Sequence, residues 1–552
     1  MTAEDQLQQL AQWHFQQSYE AFPVRATTLG IHTYDHTLGK YDINSLANQV
    51  AGLQDTQTRL NQIDVAQLPP DARIDFQLVE SDVKLALAWH NQTTEWQRNP
   101  NFYAETPVYG VFLLTVREFA PVQERARNVI ARLEDVPAVL DTARANLKNP
   151  PRVYTEIAIQ TTEDGISFFQ NAIPSFATTV PDLQQQMLTA NQKAIDAYTD
   201  FLSFLRNDLL PRSKGQYAVG TAHYEERLRL EHALNTTAPD LKRAGQKLFD
   251  DTEKRLVQLA ARIDPQKTWG EITEEAKAEH TDAEHLIETY VTEIKRLRSF
   301  VVGQGIVTVP ENEVLEIAPT PSFARSTLPY AAYFPPAPFD EKQEAQFWVT
   351  PLDERASPEE QEAQLREHSY FALPVIALHE AYPGHHVQLV HSNNVSSFIR
   401  KHIASNIMCE GWAFYCEEMM HEVGYRPARV EDSPDPEHAM NLFHLFVLKD
   451  VLWRATRIII DVGLHTEGME VEDAVRLFTD RVFLSRAAAI AEVWRYTLSP
   501  TQPMSYALGK LQIQSLRQEF PNLPMHRFHD VLLSEGTIPV SYIRDRMLAK
   551  LK

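Results

Sequence analysis

Side chains suited to binding and using a metal ion are concentrated in one short segment, His379-Glu380-Ala381-Tyr382-Pro383-Gly384-His385-His386. A His followed directly by Glu on an apolar helix is typical of zinc peptidases, in which the His binds the metal and the Glu polarises a water molecule on it. The residues before this pair, 371–378, are apolar. We therefore predict that His379 is a metal ligand and that Glu380 is a general base.

The second ligand has an unusual spacing. Zinc helices of this type usually carry their two His four residues apart, but Pro383 occupies that position here and His385 follows two residues later. Six residues on a regular helix correspond to roughly 600°, which is the wrong side. Pro383 lacks the N–H that would bond the carbonyl of His379, and Gly384 tolerates an irregular backbone. A two-residue bulge would therefore return His385 to the face of His379.

His386 is the alternative second ligand. It lies seven residues after His379, which is roughly 700° and close to two full turns of a regular helix. We favour His385 because a break at Pro383 makes regular-helix counting unreliable. A group of purely structural histidines is the remaining interpretation of the segment.

A third ligand is expected from a later helix, and Glu410 is the best candidate. Its distance from His385 along the chain allows a helix, a loop and a returning helix. Glu417 lies two turns beyond Glu410 and is predicted to orient a ligating imidazole, although an exposed helix acid is the other interpretation. Three protein ligands leave a position open to water, so we expect one zinc ion per chain and hydrolysis of an amide bond in a peptide or small amide substrate.

The elements that position these residues are predicted to be mainly helices. Apolar residues recur at steps of three or four between Leu183 and Leu205, and similar patterns run over 241–263 and 286–300. Pro211 is expected to stop the first of these helices. We expect three segments: a helical half at 1–300, a small β-rich insert at 301–351, and a helical half at 352–552 that carries the metal site.

The predicted β-rich insert contains short β-branched and aromatic stretches at 305–310, 331–334 and 347–350, separated by prolines. These stretches predict a small antiparallel sheet. If an edge of the sheet faces the active site, it can pair with an extended peptide. A sheet that only covers the helical body is the other interpretation.

Composition excludes several classes of partner. The formal net charge of -22, from 52 Lys and Arg against 74 Asp and Glu, argues against binding of nucleic acid or an anionic membrane. No leader-like start and no apolar run of membrane-spanning length is present, so we expect a cytoplasmic protein. The two cysteines, Cys409 and Cys416, lie two helical turns apart and are predicted to be reduced thiols.

Several segments together resemble the bacterial protein family of unknown function numbered 885. They are Glu410-Gly411-Trp412-Ala413-Phe414-Tyr415, Asp461-Val462-Gly463-Leu464-His465, residues 379–386, residues 500–510, and a stretch near the N-terminus at 22–32. The resemblance implies one family-wide unit over 1–552. It also implies a mainly helical fold with a deep cleft, similar to gluzincin-type zinc oligopeptidases and carboxypeptidases. In those relatives a Gly-His pair supplies the second ligand, which corresponds to Gly384-His385.

The same resemblance, together with local clustering, suggests roles for residues after 460. Tyr506 and His465 are expected to stabilise the oxyanion, and Asp461 to support the site from outside the ligand set. The expected substrate-binding residues are Arg495, Tyr496 and Lys510. Since the guanidinium of Arg495 matches a terminal carboxylate bidentately, the protein is expected to be a carboxypeptidase or dipeptidyl carboxypeptidase acting on small peptides.

Two other classes of protein remain as alternatives. Glu418 and His421 have the Glu-x-x-His spacing of a di-iron carboxylate bundle, but such bundles need the motif twice, and no second copy with Glu is present. A metal-free, non-catalytic helical binding scaffold is the other alternative, and the imperfect spacing of the histidines is its only support.

Overall fold

The computed structural model describes residues 1–320, 331–353 and 356–551. They form two compact units: the first comprises 1–219 and 337–341, and the second comprises 220–320, 331–336, 342–353 and 356–551. Most of the described residues are helical, which confirms the predicted mainly α class. The segment boundaries at 300 and 351 and the deep cleft stay predictions.

The helices of the first unit follow one another along the chain with short connections. They are α1 Ala3–Ala21, α2 Pro23–Leu29, α3 Ile43–Leu60, α4 Pro70–Asn91, α5 Glu95–Arg98, α6 Pro100–Val116, α7 Val122–Asn146, α8 Arg152–Ala177, α9 Gln184–Phe204 and α10 Leu210–Arg212.

The second unit combines helices with three strands. Before the strands come α11 Thr221–His232, α12 Ala238–Ile263, α13 Trp269–Ala276 and α14 Leu286–Gly303. The strands are β1 Val314–Pro319, β2 Ala331–Phe334 and β3 Glu344–Val349. After them come α15 Pro358–Glu367, α16 Leu373–Glu380, α17 His385–Asn393, α18 Phe398–His402, α19 Asn406–Glu422, α20 Ala428–Glu431, α21 Pro436–Thr466, α22 Val471–Arg481, α23 Arg486–Leu498, α24 Ser505–Glu519, α25 Met525–Leu533 and α26 Val540–Leu551.

The three helices predicted from apolar spacing are present as α9, α12 and α14. The helical run that begins with α9 continues through a π-helical turn at Leu205–Leu209 and ends with α10 at Arg212, one residue beyond the stop predicted at Pro211. Within the described residues, no helix combines the length and apolar character needed to cross a membrane. Cys409 and Cys416 both lie on α19 as free thiols, as predicted.

The small sheet is mixed, so the prediction of an antiparallel sheet is wrong. Its order is β1-β3-β2, with β3 parallel to β1 and antiparallel to β2. Residues 305–310 are not a strand, because side chains of α25 bind their backbone instead of a neighbouring strand. His529 Nδ1 donates to the carbonyl of Ile306 at 2.7 Å, and the N–H of Thr308 donates to Asp530 at 2.8 Å.

Helices α19 and α24 of the second unit approach each other closely at two glycines. A Cβ on Gly411 would lie 2.5 Å from the Cα of Gly509, and a Cβ on Gly509 would lie 1.9 Å from the carbonyl oxygen of Ile407. The two backbones can therefore touch only because neither glycine has a side chain. This contact fixes the position of α24 beside Glu410, which precedes Gly411 on α19.

We predict that Gly509→Ala lowers the free energy of unfolding by about 1–3 kcal/mol, the usual cost of overpacking. The added methyl group has no space between α19 and α24. Gly52→Ala is the matched control, because Gly52 lies inside α3 and a Cβ there would have nothing within 4 Å, so a gain of up to about 1 kcal/mol is expected. Urea unfolding measures both variants, and a Gly509→Ala protein as stable as wild type would contradict the close contact.

Candidate metal centre

The predicted metal-binding segment contains a complete break between two helices. Helix α16 ends at Glu380 and α17 begins at His385. Within the break, a Cβ on Gly384 would lie 1.8 Å from the carbonyl oxygen of His379. The N–H of Gly384 donates to the carbonyl of Leu378 at 3.2 Å. The helix therefore ends at Glu380, and this hydrogen bond spans two residues more than the i→i−4 bond of a regular helix, in agreement with the predicted two-residue bulge at Pro383.

The break brings His379 and His385 together with Glu410 of α19. Oε2 of Glu410 lies 3.8 Å from Nε2 of His379 and 3.4 Å from Nε2 of His385. The two imidazole rings are 4.7 Å apart and nearly perpendicular, at 87°. Potential donor atoms of the three residues all lie within 4.8 Å of one another, and among the described residues no other group of His, Cys, Asp and Glu side chains converges in this way.

This donor set suits zinc. A tetrahedral zinc ion with donors about 2.0–2.2 Å away has donors roughly 3.4 Å apart, close to the separations from Glu410. Two neutral imidazoles and one carboxylate leave a fourth position open. The side chains of His379, His385 and Glu410 retain 10%, 10% and 17% exposure, so the group is largely buried but still reachable.

His386 faces a different set of partners. Its Nε2 donates to Glu313 at 2.7 Å, and its Nδ1 lies 3.2 Å from the hydroxyl of Tyr333. Glu313 also accepts hydrogen bonds from Tyr382 at 2.8 Å and from Arg298 at 3.0 Å. Because adjacent residues of a helix point about 100° apart, a helix that restarts at His385 directs His386 away from Glu410.

Glu417 is hydrogen-bonded to the imidazole of a candidate ligand, His379, as predicted. Nδ1 of His379 donates to Oε1 of Glu417 at 2.7 Å, which directs Nε2 toward Glu410. Glu417 is 1% exposed, which excludes the alternative of an exposed helix acid. The corresponding neighbour of His385 is Cys409, whose Sγ lies 3.7 Å from Nδ1; no sequence pattern indicates this contact.

The charges of the three candidate ligands stabilise one another. Burial alone raises the pKa of Glu410, but hydrogen bonds with His379 and His385 outweigh it and lower the pKa. Burial alone lowers the pKa of His379, yet hydrogen bonds to Glu410 and Glu417 raise it overall. The pKa of His385 is raised well above its ordinary value, against burial, by Cys409 and Glu410.

Tyr506 is the predicted oxyanion residue that lies next to a candidate ligand. Its ring stacks against that of His379, with centroids 6.3 Å apart. The ring also lies near two arginines of α21: the guanidinium carbon of Arg457 is 4.6 Å from the ring centroid, and that of Arg454 is 5.9 Å from it. Arg457 is buried and donates to Glu492 at 2.9 Å. Arg457 was not predicted from the sequence, because neither its type nor its spacing along α21 marks it.

The three predicted substrate-binding residues differ in availability. Arg495 is 42% exposed and lies 3.2 Å from both Glu492 and Gln502. Tyr496 is buried and donates its hydroxyl to Glu492. Lys510 is buried in an ion pair with Glu418 at 2.6 Å. Of the three, only Arg495 presents a substantially exposed side chain to a ligand.

Glu418 is already neutralised by cations. It lies 2.6 Å from Lys510 and 2.6 Å from Arg255, and although burial opposes the change, these two charges lower its pKa. His421, its partner in the Glu-x-x-His motif, stacks on His444 with ring centroids 3.9 Å apart. This pairing of Glu418 argues against a di-iron centre built on the motif.

Asp461 and His465 are buried beside the turn that precedes α24. Asp461 accepts a hydrogen bond from Tyr224 at 2.7 Å and two from the backbone N–H of Thr501, at 3.3 and 3.2 Å. His465 donates from Nε2 to the carbonyl of Tyr496 at 3.0 Å. Burial raises the pKa of Asp461 to about 7. The proposed oxyanion role of His465 stays a prediction.

Comparisons with known proteins point to one family. The family described as "Bacterial protein of unknown function (DUF885)" matches residues 23–547. No curated protein matches the sequence significantly.

Two solved structures resemble this one over almost their whole length. One is described as "a putative lipoprotein of unknown function" from Shewanella oneidensis; it is 26% identical, with 98% of this chain and 99% of that chain covered and a TM-score of 0.79. The other, described as "the putative lipoprotein" from Colwellia psychrerythraea, is 18% identical, with 100% and 99% covered and a TM-score of 0.80. At 18% identity the second likeness concerns the fold alone.

The two adjacent histidines can be distinguished by zinc titration. We expect His385→Gln to weaken zinc binding by more than about 100-fold, beyond the 10–100-fold usual for loss of an outer hydrogen-bond partner. His386→Gln, the matched control, should retain about one zinc per chain, because His386 faces Glu313. A competitive chelator assay measures both, and the reverse order of effects would exchange their roles.

The buried Asp461 predicts a specific pH dependence of stability. Its pKa is raised in the folded protein from 3.8 to about 7, mainly by burial. The stabilisation from its bound proton is therefore complete below the unfolded pKa and is lost as the pH rises through about 7. We compare the free energy of unfolding of the metal-free wild type with that of Asp461→Asn. The difference, wild type minus variant, is expected to decrease as the pH rises from 3.8 to about 7. Urea titrations at several pH values test this, and a constant difference would contradict it.

Proposed function

The chain belongs to the bacterial family DUF885, and we propose that it is a zinc-dependent hydrolase that cleaves peptide bonds of small peptides. The observation that carries the proposal is the convergence of His379, His385 and Glu410, with Glu380 directly after the first of them. Zinc, when bound, supplies a Lewis acid that polarises a carbonyl and makes water a better nucleophile at neutral pH.

Glu380 is proposed to move protons during the reaction. It is the last residue of α16, partly exposed, and lies at the break that separates the two histidines. A carboxylate at this place can accept a proton from the attacking water and then deliver it to the leaving amine. Glu417 keeps the imidazole of His379 oriented through this step, because it holds Nδ1 at 2.7 Å.

Tyr506 and Arg495 are proposed to act on the substrate itself. The phenol of Tyr506 lies beside His379, where its hydroxyl can donate to the oxyanion that forms from the scissile carbonyl. Arg495, whose side chain is partly exposed, can bind a terminal carboxylate bidentately, through two parallel N–H···O hydrogen bonds. Binding of a C-terminal carboxylate by Arg495 would support carboxypeptidase or dipeptidyl carboxypeptidase activity.

We also propose that the protein acts in the cytoplasm. The support is its two free cysteines, which suit a reducing compartment. The two similar structures described as lipoproteins make the cell envelope the competing location.

The test of this function is digestion of a mixed peptide library by zinc-loaded protein, with cut positions identified by mass spectrometry. We expect cleavage that a chelator abolishes and zinc restores. Glu380→Gln should bind zinc normally and reduce kcat by about 100- to 10,000-fold, because an amide cannot accept the proton of water.

Glu359→Gln is the control for this variant, since Glu359 is an exposed acid in the first turn of α15. It should leave the rate unchanged. Full activity of Glu380→Gln would remove this residue from the mechanism. Absence of any cleavage by zinc-loaded wild type, across the library, would favour the non-catalytic scaffold.

A further inference from the structure

The turn between α23 and α24 contains a residue in an unfavourable backbone conformation. Thr501 has a φ of 71°, in the left-handed region that β-branched residues rarely adopt. Thr501 is fully buried. Such a conformation persists only when surrounding groups hold it in place.

The groups that hold Thr501 are buried and polar. Its N–H donates to both carboxylate oxygens of Asp461, at 3.3 and 3.2 Å. Its hydroxyl lies 3.1 Å from Nε2 of His232 and 3.3 Å from Oε2 of Glu231. Asp461 is itself held by the hydroxyl of Tyr224 at 2.7 Å. Thr501 is thus bound from α11 and α21 at once.

This turn determines where α24 begins. Helix α24 starts at Ser505, and Tyr506 is its second residue. Further along, the contact of Gly509 with Gly411 fixes α24 against α19. The turn at Thr501 is therefore the second support for Tyr506, whose ring stacks against that of His379.

We propose that Asp461 is a positioning residue: by holding Thr501 in its left-handed conformation, it keeps Tyr506 beside the metal-binding His379. The inference rests on the proposed function for the role of Tyr506 in turnover. Asp461 acts through its hydrogen-bond geometry and not through its charge, because its oxygens accept hydrogen bonds from a backbone N–H and a phenol, both uncharged. The imidazole of His465 lies 3.8 Å from Oδ1 of Asp461, but its Nε2 is bonded to the carbonyl of Tyr496 at 3.0 Å.

Four variants test the inference: Asp461→Ala, Asp461→Asn, Thr501→Gly, and the double variant of Asp461→Ala with Thr501→Gly. Asp461→Ala should reduce kcat about 100-fold, the cost of misplacing a catalytic group by about 1 Å, with KM and zinc content little changed. Asp461→Asn should stay close to wild type, since an amide oxygen accepts the N–H of Thr501. Thr501→Gly should also stay close, because glycine adopts a positive φ without strain.

The double variant is the decisive one. If Asp461 serves only to hold the strained turn, glycine at 501 should restore most of the kcat lost in Asp461→Ala. An Asp461→Asn protein as slow as Asp461→Ala would show that the charge matters, and a double variant no faster than Asp461→Ala would show that the turn is not the route. Either result would overturn the inference.

Crystal structures of the same variants give a readout that needs no turnover and so separates this inference from the proposed function. We expect the stacking of Tyr506 on His379 to be lost in Asp461→Ala and regained in the double variant. Stacking that stays intact in Asp461→Ala refutes the positioning role, whether or not the wild type hydrolyses peptides. Inactive wild type with the expected structural changes refutes the proposed function alone.

Discussion

The candidate metal centre depends on the close approach of Gly384 to the end of α16. The carbonyl of His379 occupies the space that any side chain at position 384 would need, since a Cβ there would lie 1.8 Å away. This approach allows one helix to end at Glu380 and the next to begin at His385. The two histidines, whose spacing is unsuited to one regular helix, therefore both place Nε2 close to the carboxylate of Glu410. Trp412 supports the break by donating from Nε1 to the carbonyl of Pro383 at 2.8 Å.

A second close approach, between Gly411 and Gly509, connects this break to the rest of the second unit. Helix α19 supplies Glu410 as candidate ligand, Glu417 as partner of His379, and Trp412 as support of the break. Helix α24 packs against α19 and places the ring of Tyr506 beside that of His379. Buried polar pairs, among them His379 with Glu417 and Lys510 with Glu418, also hold this region together, because a buried polar group is costly unless it is hydrogen-bonded. The arrangement is therefore specified jointly by small residues that allow contact and by polar pairs that require it.

The sequence predicts the parts of this structure that depend on local patterns. Apolar spacing located α9, α12 and α14, and ligand-type residues located the three converging side chains. Pairing of strands is not local, which is why β1 was missed and the mixed order of the sheet was not foreseen. Arg457 and Cys409 were missed for a similar reason, because only the packing of distant helices brings them to Tyr506 and His385. The position of the helix break is predicted by Pro383 and Gly384, but its support by Trp412 is not, because that hydrogen bond comes from another helix.

The central claim is that the break at residues 381–384 creates one zinc site from His379, His385 and Glu410. Anomalous X-ray diffraction from zinc-soaked crystals, recorded on both sides of the zinc absorption edge, tests it directly. We predict a single strong anomalous peak about 2.0–2.2 Å from Nε2 of both histidines and from an oxygen of Glu410. A peak that instead involves His386 or Glu418, or no peak between these three side chains in zinc-saturated crystals, would contradict it.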